Sequence, residues 1–574
     1  MTLSAPRRSV EPAPSFAELY TPKLVTILRE GYTARHLRFD LMAGLTVAIV
    51  ALPLSMAIAI ASGASPVQGL YTAIVGGFVV SALGGSRFQI AGPAGAFIVL
   101  VGATVHAHGI DGLVLATVLS GFMLVLVGLL RLGGYIKFIP YPVTVGFTAG
   151  IAVIIFASQI RDFFGLAVAD KEPVALLEKL PVLWDAWPTL DPWSTAIAGG
   201  TVVAILGLQK FRPRWPGILI AIAGAAAFVA LVEPPVATIG SRFGGIPQTL
   251  PLPMLPDFAL DKVKAVLPNA LAFALLGSIE SLLSAVIADG MTGRRHRSNC
   301  ELVAQGLANV ASGLFGGFCV TGTIARTATA VRAGAHGPMT GMFHAVFLAI
   351  FVLVAAPLAR HIPLASLAGL LVVVSWSMVE RQAFASLLRA SPGDAAVLLT
   401  TFLLTMFRDL TEAIVVGFAL GSALFIHRMS KTTAGESHMP LVAEDRADDA
   451  GRARRPYDEA AAKDPNVVVY RIAGAFFFGA AGSIGAVLEG MADRHRVLIV
   501  DFSAVPFLDS TAANTIRGLA RKAQRRGVKV MLSGTDHAMR LELFAQEVKP
   551  PLVAYETSVD RALLAARRFL ARPD

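Results

Sequence analysis

Long apolar runs separated by short polar gaps fill the first 428 residues of this chain of 574. A helix needs about 20 predominantly apolar residues to cross a bilayer, and many of these runs approach that length. The pattern predicts a polytopic α-helical membrane protein with fourteen spans, near residues 41–62, 69–84, 90–105, 112–130, 138–158, 194–210, 215–232, 265–289, 299–316, 320–332, 339–357, 364–379, 394–407 and 410–426.

The composition excludes a water-soluble globule. Only 15% of the residues are charged and 55% are hydrophobic, whereas about a quarter of an ordinary soluble domain is charged. The 53 glycines suit membrane helices that approach one another closely. We find no catalytic triad motif, no phosphate-binding loop of the GxxxxGK[ST] type and no metal-ligand spacing. We therefore expect a protein that is not an enzyme and has no metal or bound cofactor.

The net charge of +10 would suggest a nucleic-acid partner in a soluble protein. In a membrane protein, basic residues instead mark cytoplasmic loops, so we expect no nucleic acid here. Arg29, Arg35 and Arg38 precede the first span and predict a cytoplasmic N-terminus. An even number of spans returns the chain to the same side of the membrane.

The pattern changes after residue 428. We divide the chain into an N-terminal cytoplasmic segment (1–37), a transmembrane domain (38–428), a charged linker (429–465) and a C-terminal α/β domain (466–574). In the last of these, strands are predicted at 467–472, 497–502 and 528–533, and amphipathic helices at 483–494 and 510–526. Alternating strands and helices predict a small cytoplasmic α/β domain of about 100 residues.

Two spans are short and irregular in the same way. Residues 91–97 (AGPAGAF) and 316–327 (GGFCVTGTIART) place glycine or proline in an apolar setting ahead of a helical run. Each is the third span of its half when the fourteen are divided seven and seven. Interrupted spans at matching positions indicate a transporter binding site, and an odd number of spans per half makes the repeats inverted.

An anion suits that site. Each half-helix would present its N-terminus, which carries about half a positive charge, near the membrane midplane. Arg326 adds a full charge inside the membrane, where an arginine costs at least ~2.5–3.5 kcal/mol and so needs a partner or a function. We assign Arg326 to the anion site; the alternative is that it only pairs with Glu280.

Glu280 is the other charge that lies in mid-span. It is a candidate to bind a co-transported H⁺ or Na⁺, and the alternative is a structural ion pair. Ser298–Glu301 matches a capping box at the start of the next helix. Gln305 and Asn309 share one face of that helix, and we predict that they make interhelical hydrogen bonds rather than ligand contacts.

Four stretches together resemble the sulfate permease (SulP) family. They are the first span (39–71), QIAGPAGAF (89–97), spans eight to ten (277–285, 298–318, 321–334) and VDFSAVPFLDSTAA (500–513), which is similar to the STAS domain that follows the membrane part in this family. The resemblance implies two inverted seven-span repeats arranged as core and gate bundles, with the core moving against the gate like an elevator. It further implies a multi-pass protein of the bacterial inner membrane, in contact with lipid and often a homodimer.

The resemblance also implies a set of site residues. It places the anion between the third and tenth spans, beside Pro53, Leu54, Ser55, Met56, Ala94, Gly95, Ala96, Gly322, Thr323, Ile324, Ala325 and Arg326. Glu280 matches the acidic position linked to proton or sodium coupling in bacterial members. Many members have glutamine directly after the first-span proline, where this chain has Leu54. That pattern is closer to bacterial bicarbonate and C4-dicarboxylate carriers than to sulfate carriers.

The STAS resemblance implies one more candidate. Ser510 falls where related domains carry a regulatory phosphorylated serine; the alternative is that Ser510 is simply the helix N-cap. The function we expect is secondary active transport of a small anion (bicarbonate, sulfate or a C4-dicarboxylate), coupled to protons or sodium. The alternatives are an uncoupled anion exchanger or channel, and a regulatory membrane scaffold that acts through STAS. Arg326 and the STAS domain argue against a nucleobase carrier.

Overall fold

The structure is a computed structural model that describes residues 16–134, 140–168, 173, 175–212, 215–408, 410–435, 466–474, 476–477 and 495–571. Its helices are α1 (Phe16–Tyr20), α2 (Lys23–Gly31), α3 (Ala34–Ala61), α4 (Pro66–Tyr71), α5 (Gly77–Leu83), α6 (Ile98–Leu129), α7 (Tyr141–Phe164), α8 (Leu176–Asp185), α9 (Pro192–Phe211), α10 (Gly217–Val232), α11 (Ile239–Phe243), α12 (Leu260–Thr292), α13 (Ser298–Leu314), α14 (Ile324–Arg332), α15 (Met339–Val354), α16 (Leu364–Met378), α17 (Arg381–Ala390), α18 (Pro392–Phe407), α19 (Leu410–Gly435), α20 (Ser510–Arg525), α21 (His537–Ala545) and α22 (Val559–Leu570). The strands are β1 (Ala91–Gly92), β2 (Thr321–Gly322), β3 (Val467–Ala473), β4 (Val497–Ala504), β5 (Lys529–Ser533) and β6 (Ala554–Glu556).

The chain forms two compact units, each built from two stretches of sequence. Unit 1 comprises Met1–Ile136 and Ala204–Leu367, and unit 2 comprises Lys137–Val203 and Ala368–Asp574. Unit 1 therefore holds α1–α6 and α10–α15, and the division passes through α9 and α16. All of the candidate anion and coupling residues lie in unit 1, whereas Ser510 lies in unit 2.

Each predicted span coincides with a helical element. The second span is α4 and α5 joined by a π-helical turn at Thr72–Gly76. The third and fourth spans are the two parts of α6, which is interrupted at Gly109 (φ 69°, ψ −172°), a conformation open to glycine. In the described part of the chain, seven helical segments are long and apolar enough to cross a membrane, and four shorter apolar helices accompany them.

Both irregular spans begin with a short strand. β1 and β2 pair antiparallel, with Ala91 opposite Gly322 and Gly92 opposite Thr321. Each strand leads within a few residues into a helix, α6 or α14. Antiparallel pairing sends the two helices in opposite directions from a common centre, which is the arrangement expected of the third spans of two inverted repeats.

A buried carboxylate ties the start of α3 to the start of α15. Asp40 Oδ1 accepts hydrogen bonds from the backbone N–H groups of His336 (2.6 Å) and Gly337 (3.0 Å) and from Thr340 Oγ1 (2.8 Å). Tyr32 Oη donates to Asp40 Oδ2 at 2.7 Å. Asp40 is fully buried. Four donors compensate for the lost hydration of this carboxylate.

The C-terminal domain has a four-stranded parallel sheet in the order β3-β4-β5-β6. The three predicted strands and the predicted helix at 510–526 are present, and a fourth strand and two further helices complete the described part. The predicted helix at 483–494 lies outside the described residues. Apolar residues of the sheet and of α20 and α21 form the core, including Leu498, Val500, Ile516, Leu519 and Leu543.

Within unit 2, the C-terminal domain packs on the helices that precede it. Ser386 Oγ on α17 donates to the side-chain oxygen of buried Gln546 at 3.2 Å. The Phe425 ring on α19 lies 4.8 Å from that of Phe477 and 6.4 Å from that of Phe507, centroid to centroid. The soluble domain therefore has a defined contact surface on the membrane helices of its own unit.

Three local predictions are corrected. Glu301 does not complete a capping box, because its Oε2 accepts from Ser86 N at 2.9 Å and the N-cap of α13 is Arg297. The N-cap of α20 is Asp509, which accepts from Ala512 N at 2.8 Å, so Ser510 is not the cap but the first helical residue. Helix α19 continues to Gly435, inside the segment predicted as linker, and residues 436–465 lie outside the described part.

Candidate anion-binding site

The site is built around the ladder of β1 and β2. After β1, Ala94 is extended (φ −112°, ψ 145°) and Gly95–Phe97 form a 3₁₀ turn that leads into α6. After β2, Thr323 is extended (φ −110°, ψ 126°) and precedes Ile324 and Ala325 in the first turn of α14. No side chain caps either N-terminus. The free N–H groups of both helix ends therefore offer donors and partial positive charge on the same small region.

Arg326 lies in the first turn of α14 and is 1% exposed. Its Nη2 donates to Ser55 Oγ at 3.2 Å and to the Pro93 carbonyl at 3.1 Å. Its Nε and Nη1 are buried without a hydrogen-bond partner among the described residues. The guanidinium thus connects α14 to the first span and to the segment that follows β1, and still has unused donors.

No acidic side chain of the described residues lies within ion-pair distance of Arg326. The ion pair with Glu280, raised above as the alternative, is absent from the structure. A cation in the first turn of a helix is opposed by the helix dipole, and burial without a counter-charge adds a cost of several kcal/mol. The geometry therefore favours an anion, which would supply the missing charge.

The first-span residues lie beside this charge. Pro53, Leu54, Ser55 and Met56 are all buried in α3. The Ser55 hydroxyl donates to Ala51 O at 2.7 Å, which leaves its oxygen lone pairs for Arg326. Pro53 has no N–H and removes one hydrogen bond from this helix. The proline therefore leaves the backbone carbonyl four residues earlier without its usual helical donor.

Glu280 lies on the face of α12 that contacts β2 and α14. Thr321 Oγ1 donates to Gly277 O at 3.2 Å, and Ser284 Oγ donates to Thr327 Oγ1 at 3.2 Å. Residues 277, 280 and 284 share a face at helical spacing. Glu280 is 8% exposed, and none of the described residues pairs with it. The structure thus brings Glu280 beside the half-helix of Arg326 without joining the two charges.

A polar network supports β2 from behind. Asn309 Oδ1 accepts from Val320 N at 3.0 Å, its Nδ2 donates to Val320 O at 2.9 Å, and Gln305 Nε2 donates to the same carbonyl. Gln89 Nε2 donates to Ser281 Oγ at 2.7 Å, and Ser281 Oγ donates to Gln305 Oε1 at 3.3 Å. Gln305 makes the predicted interhelical hydrogen bond, to Ser281 of α12, whereas Asn309 bonds instead to the backbone of Val320 and of its own helix. Irregular backbone at this depth is tolerated because these amides satisfy it.

Two glycines are required by close approach. A Cβ built at Gly92 would lie 1.8 Å from Arg326 Nη1, and one at Gly322 would lie 1.6 Å from Gln89 Nε2. Both distances are far below contact range, so any side chain would displace its neighbour. The pair of glycines therefore positions Arg326 and Gln89 against the two strands.

Sequence reasoning missed His344. It lies in α15, is fully buried, and neither ring nitrogen has a hydrogen-bond partner among the described residues. A Cβ built at Gly77 would lie 3.8 Å from His344 Nδ1 and 2.9 Å from Ala91 O, which places the imidazole close to β1. The sequence feature that could have identified His344 is its position as the single histidine in an otherwise apolar helix of 16 residues.

This site is in unit 1, whereas Ser510 belongs to unit 2. It is 2% exposed and lines a cavity of about 30 Å³ together with Pro140, Pro142, Asp394 and Thr511. Such a volume admits about one water molecule. Phosphorylation of Ser510 stays a prediction, and it requires this buried hydroxyl to become accessible.

Paired broken spans, two uncapped helix ends and a buried unneutralised arginine are features of a membrane transporter, which here is followed by a soluble α/β domain. Residues 37–401 match the Sulfate permease family and residues 460–550 match the STAS domain. The chain belongs to the sulfate permease family, and the fold class predicted from its sequence is confirmed.

Two relatives cover nearly the whole chain. YvdB of Bacillus subtilis, named as a candidate sulfate transporter, is 39% identical over 510 residues, which are 88% of this chain and 93% of YvdB. The bicarbonate transporter BicA of a Picosynechococcus strain is 30% identical over 559 residues, which are 94% of this chain and 96% of BicA. The similarity therefore includes relatives named for different anions.

Solved structures agree on the fold. The transmembrane domain of a cyanobacterial bicarbonate transporter BicA matches with a TM-score of 0.61 and 32% identity, covering 67% of this chain and 98% of that one. Murine Solute Carrier 26 family member A9, an anion transporter solved in the inward-facing state, matches with a TM-score of 0.65 over 98% of this chain and 97% of that one. At 17% identity, the second likeness supports the fold alone.

Proposed function

We propose that this chain is a secondary active transporter of a small anion, driven by the co-transport of protons or sodium. One observation carries the proposal: Arg326 is buried at the positive ends of two helices and has no acidic partner among the described residues. The anion would bind between the N-termini of α6 and α14, with Ser55 and Arg326 at one side. Bicarbonate, sulfate and C4-dicarboxylates all offer oxygen acceptors for such donors.

Reconstituted protein tests the anion site. We expect liposomes with the purified chain to accumulate a labelled anion, and Arg326→Ala to reduce uptake at low anion concentration by at least tenfold. Arg332→Ala is the matched control, because Arg332 is exposed at the other end of the same helix. Normal affinity in Arg326→Ala would contradict the anion site as described.

Glu280 is proposed as the coupling residue. Glu280 is buried beside β2 and α14, so a proton or Na⁺ bound to its carboxylate would lie close to the anion. In Glu280→Gln, uptake is expected to lose its dependence on an imposed proton or sodium gradient while exchange of internal for external anion continues. Glu412→Gln, on a half-exposed side chain of α19, serves as control. Gradient-driven accumulation by Glu280→Gln at the wild-type level would remove Glu280 from the coupling step.

The same liposomes separate the alternative function. An uncoupled exchanger or channel would transport well with a counter-anion inside and no cation gradient, and would not concentrate the anion against its gradient. A panel of bicarbonate, sulfate and fumarate, each tested at two pH values, identifies the preferred anion. Transport of none of them, together with intact folding, would favour a regulatory scaffold.

We further propose that unit 1 moves like an elevator against a scaffold in unit 2, with the N-terminus and the STAS domain in the cytoplasm of a bacterial cell and two copies forming a homodimer. Labelling tests the orientation. Cys300 and Cys319 are buried, so an impermeant maleimide should give little background. We expect Asp257→Cys to react in intact cells and Lys549→Cys to react only after lysis, since both positions are exposed. The reverse pattern would invert the proposed topology.

A further inference from the structure

His344 is an isolated titratable group inside the core of unit 1. Its helix packs against α3, α5 and the π-helical turn that precedes α5. Gly44 on α3 lies against the backbone of Thr340 and His344, and Gly77 lies against the imidazole. The ring is fully enclosed, and both of its nitrogens lack hydrogen-bond partners among the described residues.

The elements that pack against α15 carry few charged residues. Helix α15 has no other titratable side chain, and α5 and the π-helical turn have none. The 3₁₀ turn Ala356–His361, which also packs on α15, carries Arg360 and His361 beyond the C-terminal end of that helix. On α3, the charged residues end at Asp40, which is engaged by four donors of its own. Arg326 and His344 both lie close to β1: Arg326 Nη1 lies against Gly92, and Gly77 lies between His344 Nδ1 and the Ala91 carbonyl.

We propose that His344 is a positioning residue for coupling, which takes up a proton when an anion binds at Arg326. With the site empty, a second positive charge next to Arg326 is opposed by repulsion and by burial. A bound anion neutralises Arg326 and removes the repulsion. The imidazolium then gains an attractive counter-charge nearby.

Such a link is reciprocal. If the anion favours the protonated imidazole, the proton must favour the anion by the same factor. This inference rests on the proposed function, because it needs an anion at Arg326, but it assigns the anion-linked proton to a residue other than Glu280. Glu280 and His344 approach β1 and β2 from different helices, so their contributions can be separated by mutation.

The experiment measures anion affinity against pH in purified full-length protein. Sulfate and fumarate are suitable probes, since each keeps its own charge near neutral pH. In the wild type and in Glu280→Gln, the apparent Kd is expected to fall by up to about tenfold per pH unit on acidification through the range in which histidine titrates. In the double variant Glu280→Gln/His344→Gln it should be independent of pH. His106→Gln, on an exposed side chain of α6, should behave as wild type.

The outcomes are distinct. If the apparent Kd of His344→Gln depends on pH as strongly as that of the wild type, the inference is overturned and the proposed function stays intact. Absence of binding or uptake of any probe by the wild type contradicts the proposed function, and the inference with it. A flat pH profile in wild type also overturns the role of His344.

If His344→Gln fails to fold, a second measurement tests the inference without that variant. In weakly buffered detergent solution, adding sulfate or fumarate to Glu280→Gln should draw protons from the medium, detected with a pH-indicator dye. The Glu280→Gln variant keeps His344 and removes Glu280, which is the other buried group proposed to bind a proton. No proton uptake on anion binding in Glu280→Gln would refute the assignment.

Discussion

Arg326 Nη1 occupies the space that a side chain at Gly92 would need, because a Cβ built there would lie 1.8 Å from it. The same guanidinium donates to Ser55 on the first span. A glycine of one repeat and an arginine of the other therefore depend on each other. The position of the Arg326 guanidinium depends on the absence of a side chain at Gly92 as much as on its hydrogen bonds.

Gly92→Ala is expected to displace the guanidinium and to lower anion affinity by about tenfold or more, comparable to the loss of one charge-assisted hydrogen bond of ~1.5–3 kcal/mol. Uptake at low anion concentration measures this. Gly102→Ala is the matched control, since a Cβ there meets nothing closer than 3.9 Å. Wild-type affinity in Gly92→Ala would show that Arg326 can shift without consequence.

Asp40→Asn is expected to destabilise unit 1 by about 2–3 kcal/mol. The reason is that the buried Oδ1 of Asp40 accepts three hydrogen bonds, and the substitution removes its negative charge. Thermal unfolding of the detergent-solubilised protein checks this. Asp257→Asn should leave the melting temperature nearly unchanged, since Asp257 is exposed and pairs with exposed Lys262 and the nearby Ala259 N–H. Equal melting temperatures for the two variants would contradict a structural role for Asp40.

Ser510→Glu tests the surface between the STAS domain and the membrane helices of unit 2. Ser510 shares its small cavity with Asp394, so an added negative charge has neither room nor a favourable neighbour. We expect faster hydrogen exchange in α17, α18 and α20 of the full chain. Arg525→Glu, exposed on the same helix, should have no such effect. Unchanged protection in Ser510→Glu would mean that this contact does not stabilise the packing of the domain.

Asp501 makes the STAS domain sensitive to acid. Burial acts to raise its pKa, but hydrogen bonds from Arg471 (2.7 Å), Ser503 (2.8 Å) and Ser533 (3.2 Å) hold the pKa of this carboxyl below its usual range. A depressed carboxyl pKa stabilises the fold above the unfolded value of about 3.9, and that stability is lost as pH falls through the folded value. The protection factors of the β4 and α20 amides in the full chain, taken relative to the intrinsic exchange rate at each pH, should therefore fall below about pH 4. Asp501→Asn should show weaker dependence on pH there, and an identical profile would contradict this account.

The sequence predicted the fold class well because the bilayer restricts backbone structure so strongly. Apolar length alone located every span, and the two glycine- and proline-interrupted segments at 91–97 and 316–327 were recognised as equivalent. Local capping was predicted less well. Glu301 and Ser510 fit helix-start motifs, yet Glu301 bonds to Ser86 and Asp509 supplies the cap of α20. The partner of Glu301 is 215 residues away in the sequence, whereas at α20 two adjacent residues both suit the cap and the tertiary structure selected Asp509.

Sequence by itself determined that the chain crosses a membrane, that its two halves are inverted, and that Arg326 and Glu280 are exceptional, because charges are costly in an apolar span. Only the tertiary structure decided how these charges are used. It separated Arg326 from Glu280, placed Arg326 over Gly92, and brought His344 to β1 from a helix that gave little sign of function. The physical reason is that span positions follow from the apolar length of each segment, whereas the partners of a buried charge depend on how distant segments pack.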